Sequence, residues 1–138
     1  SLEPDELLKE VRVPDAGVLD AGVPDAGVPD AGGACAYRKV AQRASGFAVV
    51  GIAVQLSIEG GACAEAGVGV TGLAGHAYRA SKVEEALRGR ALDGDAVEAA
   101  ASKVADGVDP LEDLFASKEY RTHLARVHCR RAIQAALA

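Results

Sequence analysis

The chain has 138 residues, of which 49% are hydrophobic and only 4% aromatic, and its formal net charge at pH 7 is −5. This length suits one small domain, and without Trp or Met its core must be built from Ala, Val, Leu and Ile. Four evenly spaced aspartates, Asp15, Asp20, Asp25 and Asp30, account for most of the imbalance, so the remaining chain carries about −1. We expect no nucleic-acid partner, because such a partner normally requires an excess of basic residues.

Cysteine spacing and hydropathy indicate the compartment. The three cysteines, Cys35, Cys63 and Cys129, are odd in number and lack CxxC spacing, which is typical of buried or incidental thiols in a reducing compartment. No apolar run reaches the ~18 residues of a membrane span, and no basic-then-apolar leader opens the chain. We expect a cytoplasmic protein with no membrane partner and, since the first residue is Ser1, a larger parent protein.

The first predicted element is an edge strand over residues 6–13, which Pro4 and Pro14 bound. Near-identical pentapeptides of the form Val-Pro-Asp-Ala-Gly follow it. Proline favours a turn, glycine accepts positive φ and the aspartates repel one another, so residues 14–33 are predicted to be a flexible loop within a single domain of residues 1–138. Calcium binding is the functional alternative, but each repeat offers one carboxylate, far fewer oxygen ligands than a calcium loop has.

Two strands joined by a tight turn form the clearest pattern. In residues 47–58 apolar residues recur with period two, which places a core face on one side of the strand. Gly60 and Gly61 suit the positive φ angles of a hairpin turn, and the partner strand is predicted over residues 63–71, with Cys63 facing away from the core. The expected core-facing residues are Ala48, Val50, Ile52, Val54, Leu56 and Ile58, then Ala64, Ala66, Val68 and Val70.

After the hairpin the hydrophobic period becomes that of helices. Ser81 and Glu84 have the spacing of a capping box, which predicts a helix start, and Gly89 ends that helix. Asp93 or Asp95 is expected to cap a second helix. The buried stripe of the second helix is expected to be Val97, Ala100, Ala101 and Val104.

A third helix is predicted to start at Ser117, with Glu119 in its first turn, where the helix dipole favours an anion. We expect the face shared by Tyr120, Leu124 and Val127 to be buried. Strands come first and helices afterwards, which predicts an α+β fold rather than an alternating dinucleotide-binding fold. A small antiparallel sheet of three to four strands should pack against about three helices.

No strong catalytic motif is present. His123 and His128 are five residues apart, which splays their side chains on a helix, so we interpret them as solvated residues rather than metal ligands. The glycines between residues 67 and 75 lack a phosphate-loop string, and we interpret them as positions of close packing between sheet and helices. Capping and solvation explain the acidic pairs Glu84-Glu85 and Glu112-Asp113.

Positive side chains precede the most apolar strand. They belong to Arg38, Lys39 and Arg43, and strand alternation puts Tyr37 and Lys39 on one face. Considered alone, these residues are typical of an exposed strand with solvated charges.

Several short strings occur in a characteristic order. They are residues 2–14, Ala36-Tyr37-Arg38-Lys39-Val40-Ala41-Gln42-Arg43 with residues 47–50, Thr71-Gly72-Leu73-Ala74, Arg79-Ala80, Val83-Glu84-Glu85-Ala86-Leu87, Tyr120-Arg121-Thr122-His123-Leu124-Ala125 and Arg130-Arg131-Ala132. In this order they resemble the C-terminal domain of the medium, FAD-binding subunit of molybdenum hydroxylases. That family includes xanthine dehydrogenase and aerobic carbon monoxide dehydrogenase.

The resemblance implies that the chain supports a flavin domain while electrons pass from molybdenum and iron–sulfur subunits to an external acceptor. The implied partners are the FAD-binding domain of the same subunit and those two other subunits. FAD would be bound mainly by earlier domains of the subunit. Lys39 matches a lysine near the flavin ring, where its positive charge would favour negative charge on the reduced ring. An isolated chain of this kind is not expected to be catalytic.

The repeat tract departs from the family pattern, in which the corresponding connection is ordinarily short. A long loop there adds only a modest entropic cost, because closure cost rises slowly with length. The alternative function is a free-standing, non-catalytic α+β module that binds a partner protein through this loop. Loss of such a partner on deletion of residues 13–32 would favour the alternative.

Overall fold

The computed structural model describes residues 5–10 and 34–138. The chain divides into two units, and the described residues of the first unit, 5–10, are exposed and form no strand. The predicted edge strand is therefore wrong over residues 6–10, where Glu and Lys, which are depleted in strands, supply most of the side chains. The rest of that prediction and the predicted loop at 14–33 lie outside the described residues.

In the second unit, residues 33–138, four strands form one antiparallel sheet in chain order. The strands are β1 (Ala34–Ala41), β2 (Ala48–Glu59), β3 (Ala62–Thr71) and β4 (Tyr78–Arg79), and the helices are α1 (Ser81–Leu87), α2 (Gly94–Ala101) and α3 (Lys118–Ala136). Helix α3 packs on β1 and β2, and α1 packs on β3. The predicted α+β fold is confirmed.

The hairpin of β2 and β3 is also confirmed. Gly60 and Gly61 both have positive φ, at +58° and +82°, as a tight primed turn requires. Alternate residues of the two strands form the centre of the core against the helices. Those buried as predicted are Val50, Ile52, Val54, Leu56, Ala66, Val68 and Val70.

A β-bulge changes which residues face the core at the closed end of this hairpin. Ser57 is paired with Glu65, whereas Ile58 is paired with Cys63, so Ala64 is the extra residue. Cys63 is fully buried, contrary to the prediction, and Ile58 is 45% exposed. The inserted residue shifts the inward-outward alternation of β3 by one position. Counting every second residue along one strand cannot predict such a shift.

The predicted capping box at α1 is wrong. The N-cap residue is Ala80, which makes no side-chain cap, and Ser81 already lies inside the helix. Glu84 is buried, and its carboxylate accepts hydrogen bonds from the backbone N–H of Val68 at 2.8 Å and from Arg79 Nε at 2.8 and 2.9 Å. A buried carboxylate needs such partners, so Glu84 joins α1 to β3 and to β4.

The caps of the other two helices are confirmed. The Asp93 side chain accepts from Ala96 N at 2.8 Å, and the Ser117 hydroxyl accepts from Tyr120 N at 3.3 Å. On the predicted buried face of α3, Leu124 is buried as predicted, but the prediction is wrong for Tyr120, which is 51% exposed. The buried residues of α3 are Arg121, Leu124, Ala125, Cys129, Ala132, Ile133 and Ala136.

Candidate functional site

Lys39 lies near the end of β1 on the sheet face that the helices do not cover. Ala36 and Val40 pack against the core, whereas Tyr37 and Lys39 are exposed, so the predicted alternation is confirmed. The Lys39 ammonium donates to the Gly46 carbonyl at 3.2 Å. Within residues 5–10 and 34–138 it forms no ion pair.

A tight turn over residues 42–47 holds the carbonyl that Lys39 contacts. Gln42 N donates to Phe47 O at 2.8 Å, and Gly46 N donates to Gln42 O at 2.9 Å. Gly46 has a φ of +73°, a conformation that glycine adopts without strain. The turn leaves the Phe47 ring 77% exposed at the start of β2. Lys39 and Phe47 therefore mark one end of the domain.

Small residues cover the sheet beside Lys39. Gly51 is paired with Lys39, and a Cβ atom at Gly51 would lie 2.6 Å from the Tyr37 hydroxyl. A Cβ atom at Gly67 or Gly69 would meet nothing within 4 Å. These two glycines face outward, so the prediction that they pack the sheet against helices is wrong. The outer face of the sheet is therefore open at Gly67 and Gly69, whereas the Tyr37 side chain lies over Gly51.

Gly72 does mark a close approach, but to the backbone of β2. Its φ is +77°, and a Cβ atom there would lie 2.6 Å from Val49 O and 2.8 Å from Ala48 O. Arg121 reaches the same place from α3, where its Nη1 donates to Val49 O at 2.6 Å and to Gly72 O at 2.9 Å. The guanidinium therefore fastens α3 to the ends of two strands.

The role of Arg121 was missed by reasoning from periodicity, which assigns arginine to exposed faces. Its side chain is 5% exposed and forms an ion pair with Asp113, from Nη2 to Oδ2 at 2.5 Å. The signal that could have revealed it is the string Tyr120-Arg121, one of those that carry the family resemblance.

Asp113 organises the turn that precedes α3. Its Oδ1 accepts from Phe115 N at 2.9 Å and from Ala116 N at 3.0 Å. The hydrogen bond from Phe115 and the ion pair with Arg121 both hold the pKa of the Asp113 carboxyl below its usual range. We predicted that Asp113 serves only in capping and solvation; this prediction did not include its ion pair with Arg121.

The histidines form no metal site in the part of the chain that the structure describes, where no group of three or more metal-ligating side chains occurs. His123 is exposed, as predicted. His128 is partly buried, and its Nδ1 has no hydrogen-bond partner among the described residues. Burial, together with the charges of Arg131 and Arg38, lowers the pKa of His128.

Two of the three free cysteines, Cys63 and Cys129, are buried, and Cys35 is exposed. Burial raises the pKa of the Cys129 thiol to about 12 and also raises that of Cys63. These buried thiols therefore stay protonated and unreactive at neutral pH.

A surface cleft of about 440 Å³ lies on another part of the domain. Its charged lining residues are of both signs, and one of them, Asp109, is paired with Lys118 at 2.8 Å. The cleft thus presents no single ligand chemistry. Among the described residues, no helix is both long and apolar enough to cross a membrane.

Residues 35–136 match the family described as the CO dehydrogenase flavoprotein C-terminal domain. The chain is 33% identical to the carbon monoxide dehydrogenase medium chain of Afipia carboxidovorans over 138 residues, which is 100% of this chain and 43% of that protein. The structure superposes on carbon monoxide dehydrogenase from Hydrogenophaga pseudoflava with a TM-score of 0.73 and 34% identity, covering 78% of this chain and 37% of that one.

A second similar structure is quinoline 2-oxidoreductase from Pseudomonas putida 86, with a TM-score of 0.70 and 26% identity over 77% of this chain and 38% of that one. The chain thus spans less than half the length of the relatives that it matches. The shared sheet, the helices and the sequence match place the chain in the family of CO dehydrogenase flavoprotein C-terminal domains.

Proposed function

We propose that this chain is the C-terminal domain of the FAD-binding medium subunit of a molybdenum hydroxylase. In that role it supports the flavin-binding domains while electrons pass from the molybdenum and iron–sulfur subunits to an external acceptor. Family membership over residues 35–136 supports the proposal. The partners follow from the relatives, among which are carbon monoxide dehydrogenase medium chains. The free thiols also fit a reducing, cytoplasmic location.

Lys39 is the residue that we assign to the flavin. It is exposed, it contacts only a neutral carbonyl within the described residues, and the neighbouring positions of β2 and β3 carry small side chains. A large anionic or electron-rich group can therefore approach the ammonium beside the Tyr37 ring without displacing a carboxylate of the described residues. These residues fit a contact with FAD, whose ring supplies the redox chemistry when bound in the full subunit.

The Lys39 ammonium would act through its charge. A positive charge beside an ionisable group favours the ionised form, so Lys39 would favour negative charge on a neighbouring reduced ring. The hydrogen bond to Gly46 limits the conformations of the lysine and keeps the ammonium over the turn at residues 42–47. The domain thus contributes a positioned charge as well as support.

The test is to express the complete reading frame that contains this chain and to compare wild type with Lys39→Ala. We expect both proteins to carry FAD by visible absorbance, and we expect the flavin midpoint potential to fall in Lys39→Ala, because the reduced, negatively charged form loses a stabilising charge. Lys39→Arg should restore most of the potential. Lys103→Ala, which removes an exposed lysine from a different surface, is the matched control.

Equal potentials in Lys39→Ala and Lys103→Ala would remove the role assigned to Lys39. A reading frame without a flavin-binding region, or a complete protein without flavin, would overturn the proposed function.

A further inference from the structure

Two large apolar side chains are fully or mostly exposed at the tip of one turn. Leu114 is 100% exposed and Phe115 is 63% exposed, next to each other in the turn between Asp113 and Ala116. Adjacent exposed side chains of this size can supply the apolar centre of a contact with a partner.

The turn that carries them is braced. Asp113 N donates to Ala116 O at 3.2 Å, and the Asp113 carboxylate accepts from the backbone N–H groups of Phe115 and Ala116. The same carboxylate is paired with Arg121, which is buried. Because the backbone is fixed in advance, a partner that binds Leu114 and Phe115 loses little conformational entropy.

The turn lies at the same end of the domain as Lys39. Arg121 joins it to the carbonyls of Val49 and Gly72, which are the start of β2 and the residue after β3. Phe47, 77% exposed, precedes Val49 by two residues and closes the turn that Lys39 contacts. The exposed rings of Phe47 and Phe115 and the exposed ammonium of Lys39 therefore lie at the same end of the domain.

We propose that the braced turn bearing Leu114 and Phe115 is the docking surface for the flavin-binding part of the same subunit. This inference rests on the proposed function. The chain accounts for 43% of a carbon monoxide dehydrogenase medium chain and 37% of a chain of similar structure, so a subunit of that size has more than half its residues outside this domain. The partner that covers the turn is this remaining part of the subunit. Its contact surface should be an apolar recess for Leu114 and Phe115 next to an anionic or electron-rich group that faces Lys39.

The experiment is a coupling measurement by thermal unfolding in two contexts, this 138-residue chain and the complete subunit. The variant is Leu114→Ser combined with Phe115→Ser, which removes apolar surface and keeps the backbone N–H groups that Asp113 binds. Ile58→Ser is the matched control, since Ile58 is 45% exposed at the hairpin end of the sheet, remote in the strand from Val49.

In the 138-residue chain the double variant should unfold within a degree or two of wild type, because both side chains are already exposed. In the complete subunit the transition of this domain should fall by about 5 °C or more, toward its value in the isolated chain. Ile58→Ser should shift the transition equally in both contexts.

An equal shift for the double variant in both contexts would overturn the docking proposal. So would a wild-type 138-residue chain that is dimeric by light scattering and becomes monomeric in the double variant, because a second copy would then cover the turn. Flavin content separates the two proposals: zero coupling in a flavin-containing subunit removes only the docking surface, whereas absence of flavin removes the proposed function.

Discussion

Arg121 and Asp113 form an ion pair in which only the arginine is buried, with side-chain exposures of 5% and 44%. The arginine also donates to two backbone carbonyls of the sheet, 72 and 49 residues earlier in the chain. One guanidinium therefore fixes three segments, namely the turn before α3, the start of β2 and the residue after β3. The position of α3 on the sheet depends on this residue.

Arg121→Ala is expected to destabilise the domain by roughly 3 kcal/mol. It removes charge-assisted hydrogen bonds to Val49 O and Gly72 O and leaves both carbonyls with fewer partners in a buried position. Urea unfolding followed by far-ultraviolet circular dichroism measures the change. Arg126→Ala, at an exposed position of the same helix, should stay within about 0.5 kcal/mol of wild type. Similar losses in the two variants would contradict the clamp.

Substitutions at Glu84 and Ser81 test whether these residues form a capping box. We expect the free energy of unfolding to depend strongly on Glu84 and hardly at all on Ser81. Glu84→Ala leaves the buried N–H of Val68 without its acceptor, so we expect a loss of about 2 kcal/mol. Ser81→Ala should change stability by less than about 0.5 kcal/mol, because the Ser81 hydroxyl makes no cap. The same urea titrations report both values. A larger effect at Ser81 than at Glu84 would restore the capping box.

Glycine substitutions distinguish a close approach from an open face. Gly72→Ala should destabilise by more than about 2 kcal/mol, because it places a Cβ atom against two carbonyl oxygens at a positive φ. Gly67→Ala should be neutral or slightly stabilising, since its Cβ atom enters open space on a strand. Thermal unfolding midpoints of the two variants measure the contrast. Two equally destabilised proteins would show that the outer sheet face is covered in the isolated chain.

His128 should make stability depend on pH in the mildly acidic range. Its pKa is lowered in the folded state, first by burial, so the unfolded chain binds more protons below the usual pKa of 6.5. Stability is therefore complete above that value and decreases as the pH falls from 6.5 through the lowered folded pKa. His128→Asn should reduce this decrease, whereas His123→Asn, at an exposed position, should leave it in place. Urea midpoints at pH 7.5 and 5.5 give the slope, and identical slopes for wild type and His128→Asn would refute the assignment.

Local signals predicted much of this fold because local physics determines it. Period-two alternation identified the core faces of β2 and β3, and consecutive glycines identified their turn. Asp93 and Ser117 were recognised as caps because a cap satisfies backbone donors only two or three residues away. Each of these features depends on neighbours in the sequence.

The features that sequence reasoning missed depend on partners distant in the chain. Glu84 accepts a hydrogen bond from Val68, 16 residues earlier, and Arg121 donates to Val49 in β2 and to Gly72, the residue after β3. On α3 the buried face includes Arg121 beside Leu124, whereas a count of apolar residues had placed Tyr120 there. The burial of Cys63 was not predicted because it depends on a β-bulge, and a bulge can be located only from the register of both strands. Lys39 was located on its strand by alternation, but the role proposed for it comes from resemblance to a family.

The last helix covers the first two strands of the sheet. During synthesis, β1 and β2 leave the ribosome before α3, and their core face stays exposed to solvent until α3 packs on it. The sheet can form in chain order, but Arg121 and the buried residues that follow it in α3 are synthesised only after all four strands. Folding of this unit should therefore be completed only once α3 has been synthesised, and removal of the last three turns of α3 should prevent folding rather than weaken it.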